Sequence, residues 1–225
     1  MKVSRIQEAE NHERILDVAT RLFRERGIDG IGVADLMKAA GLTHGAFYGH
    51  FKSKEDLVAQ ACARAVLRMK QNWTNVIDQA TGNPLEALAA TYLTPKHRDG
   101  AGRGCPMAAL GSEIARQAPP VRRAFTDELS PFLDYLSRNV EGNSKSLRRQ
   151  KALATYAGLV GALIVSRAVD DLDLSNEILS AVAATMHRNE VERAQPKTSP
   201  GRSRTPATTT SKARSAKHSS RSPRS

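Results

Sequence analysis

The chain has 225 residues, 40% of them apolar, enough for one fair-sized domain or two small ones with a buried core. Its two cysteines, Cys62 and Cys105, exclude a disulfide scaffold and a four-cysteine zinc site, and its longest greasy run, "GLVGALIV", is far below the roughly 18 to 20 residues of a membrane span. The net charge of +11 points to a polyanionic partner, yet it is concentrated: residues 194 to 225 carry eight Lys or Arg and no acid, whereas residues 1 to 193 hold 26 basic and 23 acidic residues.

The opening "MKVSRIQEAENHERIL" lacks the apolar run of a signal peptide, so a cytoplasmic protein is expected. In "ERILDVATRLFRERG" the residues Ile15, Leu16, Ala19, Leu22 and Phe23 form one apolar stripe at helical spacing, with Gly27 placed for a left-handed C-terminal cap. A second, two-turn helix follows with Val33, Leu36, Met37 and Ala40 on one face, stopping at Gly41. Thr43 is an expected N-cap for a third helix from His44 to about His50, with Leu42 positioned to staple onto Phe47. "SKED" has the capping-box pattern, Ser53 with Asp56, and starts a long helix that ends near "TGNP". Further helices are expected over about 84 to 96, 105 to 117, 120 to 140, 146 to 170 and 175 to 190, with Pro131 kinking the third of these. No run alternates with strand period, so the fold class is all-α. The last segment, from about 193 to 225, has no aromatic residue and no aliphatic larger than Ala, and is read as a disordered basic tail.

Two short helices joined by four residues including Gly41 make a helix-turn-helix candidate. On a helical wheel Phe47 and Phe51 share one face, while Gly45, Ala46 and Gly49 leave the opposite face nearly flat, suited to close approach to a major groove. His44, Tyr48 and His50 can then reach phosphates or base edges, and Lys54 stands at the start of the next helix, where an ammonium and free N–H groups can share a phosphate.

The run "GVADLMKAAGLTHGAFYGHFKSKEDL" resembles the N-terminal signature of the tetracycline-repressor (TetR) family of bacterial regulators, over residues 10 to 60. The resemblance implies a three-helix DNA-binding domain over residues 1–58, a larger helical effector-binding and dimerisation domain over 59–192, and a homodimer built from the last two helices. It further implies that Tyr48 and Lys54 contact phosphates and that Thr43, His44, Gly45 and Ala46 approach the bases. Three positions depart from the family pattern: Gly32 where Ser or Thr often caps the second helix, His44 where a Lys commonly opens the third, and Gly49 in place of a frequent His. The operator sequence therefore does not carry over. Residues 1 to 58 hold nine basic and nine acidic residues, so DNA binding must depend on where the charges sit, with the tail free to add sequence-independent attraction.

In "ALATYAGLVGALIVSRAV" apolar residues cover most of the circumference, and Gly158, Gly161 and Ala162 allow close approach, so this helix is expected to be buried on both sides within a two-fold four-helix interface. In "HRDGAGRGCPMAALGSEIARQ" a Gly-rich loop delivers Cys105 to a helix start before Pro106, where free N–H groups, the helix dipole and nearby His97, Arg98 and Arg103 would lower the thiol pKa. Some TetR-like regulators carry a similar "GC" element, and a subset senses electrophiles or oxidants through it. Cys105 is therefore a candidate sensor, Cys62 is read as inert core, and Trp73, Tyr92, Met107, Phe125 and Tyr135 are candidate pocket residues.

The expected function is a dimeric, sequence-specific transcriptional regulator, a repressor by family habit, released from a palindromic operator by a small-molecule or electrophile effector. An architectural DNA-binding protein without an effector is the alternative that the basic tail suggests. Scattered histidines and the absence of a nucleophile elbow, phosphate loop or metal-spaced cluster speak against an enzyme, a cofactor or a metal site.

Overall fold

The computed structural model describes residues 5–194, with side chains through 186; the expected basic tail, apart from its first two residues, lies outside the described residues. Every regular element among the described residues is helical. Helix α1 (Arg5–Arg26) buries the predicted stripe from Ile15 to Phe23 and closes at Gly27, whose φ of +81° is the left-handed conformation that favours glycine. Helix α2 (Val33–Ala39) starts at Gly32 with no side-chain cap, and the chain turns at Gly41, φ +72°.

The third element differs from expectation. Residues His44–Gly49 form a 3-10 helix, not an α-helix, and Thr43 occupies the N-cap position without a side-chain hydrogen bond. With Gly at 45 and 49, both poor helix formers, six residues gain little from an α-helical ladder, and the tighter turn is a common solution for short pieces. The N–H of Ala46 accordingly donates to the Thr43 carbonyl at 3.1 Å. Phe47 and Phe51 are nevertheless both buried, with stacked rings 5.7 Å apart.

Helix α3 (Lys54–Gln79) starts as the sequence suggests: Ser53 Oγ accepts from the Asp56 N–H at 3.1 Å. The return bond goes one residue further back than in a standard capping box, since Asp56 Oδ2 accepts from the Lys52 N–H at 3.0 Å. The expected helix over 84 to 96 is broken into α4 (Pro84–Tyr92) and α5 (Pro95–Asp99), because Pro95 has no N–H with which to continue the ladder, and Thr94 caps the restart. A 3-10 turn at Ala101–Arg103 leads to α6 (Pro106–Ile114), then α7 (Pro119–Arg138) with Pro131 inside it, α8 (Lys145–Ala168) and α9 (Leu172–Ala194). Four of these helices, α4, α5, α6 and α7, begin on a proline, whose fixed φ suits the first helical position.

Helix α3 packs against α1 on one side and against α4 and α7 on the other. Buried apolar side chains run without a break from Ile15 in α1 to Leu179 in α9, so the expected boundary at residues 58 and 59 falls inside α3 and inside a continuous core. Helix α8 is not buried on both sides in the single chain: Ile164 and Val165 are 43% and 48% exposed, and Leu153, about three turns earlier, is also open.

Candidate functional site

Two surfaces carry the residues singled out from the sequence. The first is the 3-10 segment. Buried Phe47 and Phe51 anchor it from behind, and Phe51 stacks on His12 of α1 with ring centroids 4.6 Å apart. Thr43, His44, Gly45 and Tyr48 are exposed in front, and Ala46 is half-buried. Tyr48 is 68% exposed, and a Cβ added at Gly45 or Gly49 would meet nothing within 4 Å, so backbone is offered there at the surface. Tyr48 is held by edge contacts with His44, centroids 6.1 Å apart, and Phe47, 5.3 Å. His50 turns back toward His12 and Phe51, while Lys54 is half-buried as the first residue of α3. Asp56, in the first turn of α3, has its carboxyl held below the usual carboxylate range, chiefly by the Gln60 side chain and also by the Lys52 N–H.

The second surface is a cavity of about 390 Å³ between α3, α4 and the loop that leads into α6. Trp73 and Cys105 both line it; Met107 and Phe125 do not. Phe125 is core, Met107 packs partly buried against the core, and Tyr135 lies outside the cavity, its hydroxyl donating to Asp78 at 2.6 Å. Trp73 is the hub of an aromatic cluster, with Tyr92, Phe132 and Tyr156 at centroid distances of 5.1, 5.3 and 5.7 Å. A larger groove of about 720 Å³ runs beside α4, α8 and α9, with Lys151, Gly158, Val182 and Met186 in its wall. None of the candidate residues lines that groove, and it does not touch α1.

Cys105 occupies the N-cap position before Pro106, as the sequence indicates, but its electrostatics are the reverse of those expected. The thiol is buried, and burial pushes its pKa up, outweighing the backbone N–H groups of α6, the Tyr92 hydroxyl and Arg167, which act in the opposite sense. Its S–H points at the Met69 sulfur, 3.7 Å away. Arg98 does not face it, being committed to Asp99, Ser175 and Asn176. The other thiol, Cys62, is buried in α3 and pushed by desolvation up to about 12, as expected of inert core.

His97 is locked rather than catalytic. Its Nδ1 lies 2.8 Å from the Tyr92 carbonyl and its Nε2 accepts from the Cys105 N–H at 3.0 Å, an arrangement that fits one neutral tautomer, and burial lowers its pKa. Arg167 of α8 donates to the His97 and Arg98 carbonyls at 2.8 Å each, and Arg24 of α1 donates through Nη1 to the Gly104 carbonyl at 2.7 Å. At the other end of α6, Glu113 Oε2 accepts from the Ile28 N–H at 2.6 Å. The cavity wall is thus bonded to α8 on one side and to α1 on the other. Arg24, Met69, Glu113 and Arg167 were not among the sequence candidates.

The profile of bacterial regulatory proteins of the tetR family matches residues 15–61, which run from the middle of α1 through α2 and the 3-10 segment to the start of α3. The N-terminal region belongs to the TetR family. Within it, the chain is 49% identical over 55 residues to the HTH-type transcriptional regulator AcrR of Shigella flexneri, covering 24% of this chain and 26% of that one. It is 25% identical over 191 residues to the HTH-type transcriptional repressor NemR of Escherichia coli, covering 79% of this chain and 96% of that one. The crystal structure of reduced Escherichia coli NemR shares the fold, with a TM-score of 0.67 at 23% identity over 80% of this chain and 96% of NemR. This TetR-family chain is therefore a DNA-binding transcriptional regulator and not an enzyme. Among its described residues no helix is long and apolar enough to cross a membrane, and no cluster could hold a metal ion.

Proposed function

We propose that this TetR-family regulator is a cytoplasmic homodimeric repressor that binds a palindromic operator and is released by an effector at the Cys105 cavity. The observation that carries the DNA-binding reading is the 3-10 segment: two buried phenylalanines support a surface of glycine backbone, Thr43, His44 and exposed Tyr48. Such a surface lets backbone approach base edges while Tyr48 and Lys54 reach flanking phosphates. The exposed apolar face of α8, with Ile164, Val165 and the open sides of Gly158 and Gly161, supports a partner helix at close range. A two-fold dimer of this kind presents two 3-10 segments to two half-sites.

Coupling follows from the bonds described above. An effector must favour the DNA-incompetent state to have any effect. One that shifts the 104–105 loop acts on α1 through Arg24 and, through α6, on the Glu113 contact with Ile28. For an electrophile, the Cys105 sulfur would add to the β-carbon of a quinone, the S–H proton would end on the conjugated oxygen, and the ring proton at the attacked carbon would shift to the other oxygen, giving a hydroquinone thioether.

The test is binding to DNA upstream of the protein's own gene against excess nonspecific competitor, with and without a quinone, for wild type and Cys105→Ser. Protection of one palindrome, lost on treatment in wild type only, supports the thiol-sensing form. Protection that survives in both leaves a regulator with a noncovalent ligand, and absence of any preference over competitor favours an architectural DNA-binding protein.

A further inference from the structure

We propose that the Cys105 cavity takes an organic anion with an apolar body, such as an aryl- or alkyl-carboxylate; this rests on the regulator reading above and names the chemistry of its effector. The cavity lining is cationic: Arg24, Arg68 and Arg103 line it, and no Asp or Glu does. The three guanidinium groups differ in what they already hold. Arg68 is paired with Asp17 at 2.6 Å, outside the cavity. Arg103 is exposed, and its side chain makes no hydrogen bond or ion pair among the described residues.

Arg24 is the unusual one. It is only 9% exposed, and its acceptors are two neutral carbonyls, Thr20 through Nε at 2.9 Å and Gly104 through Nη1 at 2.7 Å. Neither acceptor is a carboxylate, and the neighbouring carboxylate of Glu25 is already taken by Arg21 at 2.9 Å. Burial and the proximity of Arg68 both disfavour its charge. A buried cation whose acceptors are neutral carbonyls, with a second cation beside it, is a state that an incoming anion stabilises.

The remainder of the cavity specifies the body of the ligand. Trp73, Leu88, Met69 and Tyr92 are all buried and present aromatic, aliphatic and thioether surface. Asn72 and Thr91 add uncharged polar groups. With Arg103 exposed and these walls buried, the charged group sits toward solvent and the apolar body points inward.

Trp73, the chain's single tryptophan, reports directly on occupancy. The experiment titrates the full-length protein with matched acid and alcohol pairs, phenylbutyrate against phenylbutanol and decanoate against decanol, and follows Trp73 fluorescence. The expected result is that at least one acid binds about tenfold or more tightly than its alcohol, and that Arg103→Gln removes most of that preference while leaving alcohol binding unchanged. Because Arg103 has no partner to lose, this variant keeps the fold; Arg24→Gln, checked for folding by circular dichroism, should behave likewise. The proposal is overturned if neither acid outbinds its alcohol, or if the preference survives in both variants. Operator binding is measured in parallel without ligand. Specific DNA binding with no acid preference rejects the effector class alone, whereas acid binding without DNA specificity rejects the regulator reading alone.

Discussion

Glu113 Oε2 accepts a hydrogen bond from the Ile28 N–H at 2.6 Å, across 85 residues of sequence, and a Cβ on Gly27 would crowd the same carboxylate, 2.9 Å from Oε1. One side chain of α6 thereby satisfies a backbone donor just past the end of α1, at a glycine whose φ of +81° already resists substitution. Glu113→Ala should destabilise the protein by about 1 to 3 kcal/mol, the range for a part-buried donor left unpaired. Thermal unfolding checks this, and an unchanged midpoint would mean that water replaces the carboxylate. Gly27→Ala should be at least as damaging, since it adds backbone strain to the loss of room for Glu113.

Operator contacts should divide by type. Lys54→Ala should weaken binding to all DNA and reduce the salt slope by about one unit, whereas His44→Ala should change which sequence is preferred. Competition binding over a range of salt concentrations separates the two. An unaltered slope for Lys54→Ala would remove that residue from the phosphate contacts.

The open face of α8 gives a prediction on assembly. Val165→Glu puts a charge on a side chain that is 48% exposed in the single chain, so the subunit should fold with near-normal helicity while the dimer dissociates. Light scattering at micromolar concentration reads the mass. A dimer of unchanged mass would move the interface elsewhere.

The thiol prediction concerns pH. Burial raises the Cys105 pKa above the ordinary thiol value, so the reactive thiolate is a minority at pH 7 and accumulates only at pH above the range in which an exposed thiol ionises. Alkylation of Cys105 by iodoacetamide should be slower than that of glutathione at pH 7 and should still be rising at pH 9. Fast, pH-independent labelling at neutral pH would instead indicate a thiolate stabilised by Arg167 and the α6 N-terminus.

How much of this could be read in the sequence depended on whether the cause was local. Gly27, Gly41, Ser53 and the Cys105–Pro106 junction act within a few residues of themselves, and each does in the fold what its neighbours indicate. The 3-10 form of His44–Gly49 was hidden because the spacing of Phe47 and Phe51 also satisfies an α-helix; the low propensity of Gly45 and Gly49 was the available signal. The break at Pro95 was similarly signalled by the proline itself. Arg24 and Gly104 are 80 residues apart, and no local pattern links them. The direction of the Cys105 shift is also tertiary: the sequence exhibits the helix start that lowers a thiol pKa but not the burial that raises it.

The central claim, that paired 3-10 segments read a palindrome, is tested most directly by selecting bound duplexes from a random DNA pool with the full-length protein, and with Tyr48→Ala in parallel. The account predicts an inverted repeat with half-sites about one helical turn apart, weakly enriched or lost with the variant. Enrichment of a single unrepeated half-site, or of no sequence at all, would contradict it.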